Sequence, residues 1–180
     1  IVLAVMTAVL AVLGLVTQLR SPGETEIGTW THVFDLDEEG TLPAWFQTAM
    51  LLASGAFLWK IGSSCEPGDR FSRHWKFLAW VFVYISADEN ASLHETIGFW
   101  ISEHFGLASS LGVYVWLIPA LALVAGLGIA SWKFLRHLSP RIRRLMVLAA
   151  IVYVAGAAGM EIVEALVDRL SGSFSFSLLT

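Results

Sequence analysis

Between residues 86 and 95 an apolar stretch turns polar and reads SADENASLHE. Two adjacent carboxylates, Asp88 and Glu89, are followed by the imidazole of His94 and a third carboxylate, Glu95. On a helix, spacings of three, four and seven return to one face, so Tyr84, Asp88, Ser92 and Glu95 form a narrow stripe. Glu89 stands about 100° round from Asp88, and His94 about 120° the other way. A second acidic stripe, Glu161, Glu164 and Asp168, repeats the three-and-four spacing late in the chain. Carboxylates gathered in a low-dielectric pocket cannot all stay ionised without a compensating cation or shared protons. Asp88, Glu89, His94, Glu95, Glu161 and Glu164 are therefore the candidate ligands of a divalent metal. An oxygen-rich set with one imidazole suits Mg, Ca, Mn or Fe better than zinc or copper.

The elements that must position these groups are membrane spans. Of the 180 residues, 56% are hydrophobic and 14% charged, where a soluble globule carries about a quarter charged. The mean hydropathy is +0.68. Apolar residues fall in long blocks at 1–18, 43–61, 75–101, 113–132 and 145–166. A helix needs roughly 20 such residues to cross the hydrocarbon core, and these blocks are too long for barrel strands. The sequence predicts an all-α, polytopic transmembrane helix bundle, one domain over 1–180, with five spans. The closing FSFSLLT (174–180) reads as a sixth span cut short. The expected surroundings are the lipid bilayer and other membrane subunits; no nucleic-acid partner is expected. The single cysteine, Cys65, excludes an internal disulfide.

Orientation follows from the basic residues. All 11 except Arg20 and Arg169 cluster between spans two and three (Lys60, Arg70, Arg73, Lys76) or between spans four and five (Lys133, Arg136, Arg141, Arg143, Arg144). These connections are expected on the cytoplasmic side of a bacterial inner membrane, with the N-terminus beside them. Of the 15 acids only Glu66 and Asp69 fall there. The rest are expected at the extracytoplasmic face, where spans three and five would both end. Trp30, Trp45 and Trp100 mark outer boundaries and Trp59, Trp75 and Trp132 inner ones, as indole rings favour membrane interfaces. Trp80 and Trp116 are expected to pack between helices.

The connection at 19–42 reads as an interfacial segment. Its run Asp35-Leu-Asp-Glu-Glu-Gly40 lacks the ligand spacing of a calcium loop and is expected to be a solvated acidic turn. Thr41 can cap span two, with Pro43 in its first turn. Pro119 should kink span four. Gly126, Gly128, Gly156 and Gly159 should give close-packing surfaces.

Ala91 stands three places before His94, so the Glu-x-x-His pattern of di-iron bundles is absent. So is His-Glu-x-x-His. Membrane hydrolases of the alkaline ceramidase and adiponectin-receptor class hold zinc with histidines and an aspartate near one face; their paired late histidines are missing here. DExxxxHE at 88–95, with FDLDEEGTLPAWF earlier and GMEIVEA later, resembles an uncharacterised group of bacterial multi-pass proteins, which implies no activity. Three functions fit the residues: a metal site that could be catalytic, a non-catalytic accessory or assembly subunit, and a proton or cation path. The last needs polar groups in the inner half of the spans, where only Ser54 and Ser131 qualify.

Overall fold

The computed structural model describes residues 1–20, 30–36, 40–106 and 113–177, the last stretch as backbone alone from 160 on. The described elements are all helical: α1 (Val2–Arg20), α2 (Trp30–Val33), α3 (Leu42–Ser63), α4 (Ser72–Ala91), α5 (Leu93–Phe105), a 3-10 turn (Val113–Trp116), α6 (Leu117–His137) and α7 (Pro140–Ser177). The chain forms two compact units, Ile1–Leu93 and His94–Thr180.

The first unit is organised by the antiparallel α3–α4 hairpin. Helix α3 starts as its residues dictate: Thr41 takes an extended backbone, its hydroxyl accepts from the Ala44 N–H at 3.4 Å, and Pro43 sits in the first turn. The two helices approach closely because Gly55 and Gly62 carry no side chain. A Cβ on Gly55 would stand 3.1 Å from the Ala79 carbonyl oxygen; on Gly62 it would meet Trp75 Cβ at 2.9 Å. Hydroxyls exploit that proximity. Ser72 donates to the Gly62 carbonyl at 2.7 Å and Ser86 to the Thr48 carbonyl at 3.0 Å. Trp80, expected between helices, is 62% exposed, though its ring meets that of Trp59 on α3 edge-on, with ring centroids 6.1 Å apart. Helix α1 contacts α2 and α3. At Gly14 an added Cβ would lie 2.5 Å from Leu36 Cγ.

Block 75–101 is two helices, not one. Helix α4 ends at Ala91, Ser92 turns left-handed (φ 44, ψ 41), and α5 restarts at Leu93. An L-residue in that region costs roughly 1–2 kcal/mol, and it resets the helical phase. A stripe counted from Asp88 through Ser92 to Glu95 therefore does not exist on a single helix.

In the second unit, the 3-10 turn leads into α6, which runs past the expected 132 to His137. Pro119 is its third residue. There no carbonyl four residues earlier belongs to the helix, so the proline opens α6 rather than kinking it. Pro140 is likewise the first residue of α7. Ser131 and Phe134 are buried on α6, Phe134 completely. Gly126, Gly128, Gly156 and Gly159 would each accept a Cβ with nothing within 4 Å among the described residues. The close-packing glycines are those of the first unit.

Two helices are long and apolar enough to cross a membrane, Leu117–His137 and Pro140–Gly159. Only 11% and 0% of these windows are buried within the chain, unlike the core helix of a soluble domain.

The α3–α4 contact yields the first expected outcome. Gly55→Leu and Gly62→Leu should each lower stability by about 1–3 kcal/mol through overpacking. Gly126→Ala and Gly128→Ala should hold or raise it, since alanine is the better helix former by about 1 kcal/mol. Melting temperatures in detergent check both.

Candidate functional site

Two of the candidate carboxylates lie at one end of the α3–α4 hairpin. Gln47, in the second turn of α3, donates through Nε2 to Glu89 Oε1 on α4 at 2.7 Å. Glu89 and the neighbouring Asp88 are both half-buried. The bond crosses between two helices already in register, since Ser86, one turn before, is fixed to Thr48, the residue after Gln47. Asp35 is 5% exposed and Thr41 2%. The Asp35 N–H donates to the His32 carbonyl at 3.2 Å, which ends the short α2. Asp35 is thus no solvated turn residue. Asp37, Glu38 and Glu39 lie outside the described residues.

The other candidates take separate positions. His94 is half-buried, with its ring 4.5 Å from that of Trp116 at 53°. Trp116 Nε1 is buried and finds no hydrogen-bond acceptor among the described residues. Glu95 is exposed in the first turn of α5, where a carboxylate is favoured by the amide dipoles of the helix start. His104 is in the last turn of α5 and stacks on Trp100, with ring centroids 5.3 Å apart. Glu161, Glu164 and Asp168 belong to α7, but their side chains, and with them any meeting with Asp88, lie outside the described residues. Among those described, no three of the His, Cys, Asp and Glu side chains gather closely enough to hold a metal ion.

The hairpin's opposite end holds the only cysteine. Partial desolvation, and then the charge of Asp69 and a hydrogen bond to it, push the Cys65 thiol above its ordinary value. Asp69 is held there because Oδ1 accepts from the Phe71 N–H at 2.8 Å, just before α4. A raised thiol carries less thiolate at neutral pH, which makes it a poor nucleophile.

A family model matches residues 2–179. The chain belongs to the family Domain of unknown function (DUF8692). No curated protein and no solved structure matches it. Membership of DUF8692 thus brings no reaction with it, and chemistry must be argued from the side chains. Gln47 is the residue that sequence reasoning passed over, and Asp35 was read there as part of a solvated turn. Each had a signal: Gln47 interrupts an apolar block, and Asp35 is flanked by Phe34 and Leu36.

Two outcomes follow. Gln47→Leu should destabilise the chain by about 1 kcal/mol, the usual worth of an interhelical side-chain bond. Glu89→Gln, which keeps an acceptor oxygen, should cost less; urea or thermal unfolding measures the difference. Alkylation of Cys65 by iodoacetamide should rise at higher pH than for a free thiol. Asp69→Asn removes the repulsive charge but keeps the acceptor for Phe71, so it should shift that rise to lower pH. Rates measured from pH 7 to 10 decide it.

Proposed function

We propose that the chain is an integral membrane protein with five spans, its N-terminus and basic connections on the cytoplasmic side of a bacterial inner membrane. In this reading it acts as a non-catalytic accessory or assembly subunit of a larger membrane complex. One observation carries the reading: a small-residue face on α6 that is exposed among the described residues. Ala122, Gly126 and Ala130 recur every four residues, and all three are exposed. Small residues at that spacing let another helix backbone come close inside lipid, where no hydrophobic drive brings helices together. The described polar groups support the same reading. Glu89 is committed to Gln47, and no ion-holding cluster forms among the described side chains.

A second reading is favoured by the burial of Asp35 and the half-burial of Asp88 and Glu89 in one unit. It is a carboxylate site for Mg, Ca, Mn or Fe, completed by His94, Glu95, Glu161 and Glu164, which could be catalytic.

One preparation separates the two. Gently solubilised from its native membrane, the tagged chain should migrate on a native gel with larger partners. Gly126→Leu should release it, while Asp88→Ala/Glu95→Ala should leave it associated. Elemental analysis should find well below one metal per chain. Stoichiometric metal that the double variant loses would overturn the accessory reading in favour of the metal site.

A further inference from the structure

A cavity of about 450 Å³ beside the α6–α7 turn is lined by Trp132, Leu135, Arg136, Arg143 and Val147. Its two cations come from opposite sides of that turn: Arg136 from the last turn of α6, and Arg143 from the start of α7, where its N–H donates to the Ser139 carbonyl at 3.0 Å. From Trp132 to Leu145 the chain carries Lys133, Arg136, His137, Arg141, Arg143 and Arg144, and no carboxylate. Neither Arg136 nor Arg143 makes an ion pair among the described residues.

We propose that this cavity binds the headgroup of an anionic phospholipid. The phosphate sits between Arg136 and Arg143, and an acyl chain runs along Trp132, Leu135 and Val147. A guanidinium presents paired N–H groups that match phosphate oxygens. Basic pockets between transmembrane helices are where charged headgroups collect. The three apolar walls select the source: a free phosphate has no use for them, whereas a lipid tail covers them. Trp132 is 60% exposed, and its indole suits headgroup depth. The inference rests on α6 and α7 being membrane spans.

The test begins with alkaline carbonate extraction of membranes holding the full chain. Release of the chain overturns the membrane reading itself. If it stays, the protein is purified, exchanged into phosphatidylcholine vesicles with or without phosphatidylglycerol, re-extracted and scored for bound lipid by native mass spectrometry. Wild type should retain phosphatidylglycerol over phosphatidylcholine. Arg136→Gln/Arg143→Gln should reduce that retention about tenfold or more. Arg136→Lys/Arg143→Lys, which keeps both charges and the fold, should fall between. Arg70→Gln/Arg73→Gln, equal in charge change, should match wild type. Equal retention of both lipids, an equal loss in the Arg70/Arg73 control, or displacement of the lipid by millimolar inorganic phosphate would each overturn the lipid site and leave the spans standing.

Discussion

Ser72 and Ser86 give their hydroxyls to carbonyls on the facing helix, and so short a side chain reaches across only when two backbones nearly touch. The approach is possible because Gly62 and Gly55 leave room where Trp75 and Ala79 come closest. On the proposed membrane reading, packing of this kind is what holds the helices together, since apolar side chains gain little by leaving one hydrocarbon for another. The rest of the first unit depends on it. Register set at Gly62 and Gly55 brings Ser86 to Thr48, and one turn further on it brings Glu89 within reach of Gln47. The polar end is a consequence of the hairpin's closeness, not a separate device.

The second unit is built on the opposite rule. Its apolar helices bury little within the chain, Gly126, Gly128, Gly156 and Gly159 meet nothing within 4 Å among the described residues, and Arg136 and Arg143 meet no acidic partner among the described residues. The first unit closes its α3–α4 seam while leaving much of α1 exposed; the second leaves most of its two apolar helices open.

Much of the helical layout was legible because it rests on local rules. Thr41 and Pro43 announce the start of α3, and Pro140 that of α7. Block lengths and hydropathy excluded strands. What could not be read depends on which helix lies beside which. Gly126, Gly128, Gly156 and Gly159 look the same in sequence as Gly55 and Gly62, yet among the described residues only the latter pair meets a neighbour. Pro119 was placed mid-span because the 3-10 turn at Val113–Trp116 extends the apolar block without belonging to the helix. The stripe from Asp88 to Glu95 assumed a helix unbroken at Ser92, and no propensity rule requires a serine to turn left-handed. Asp88 and Glu89 stand out in the sequence as charges within an apolar block, but Gln47, the partner of Glu89 at that end, is uncharged and drew no notice.

The break at Ser92 also bears on hydrophobic mismatch. As one straight rod, the 75–101 block would measure about 40 Å, against a hydrocarbon core of about 30 Å. Divided, it gives α4, whose 20 residues measure about 30 Å, and α5, whose 13 residues are too few to cross. A bilayer fitted to α4 would place Asp88 and Glu89, in its final turn, at headgroup depth. There a carboxylate keeps much of its hydration, and neither lipid thinning nor a steep tilt is needed to accommodate the charge. On the proposed five-span reading, a single left-handed residue thus trims an overlong apolar stretch to the thickness of its solvent.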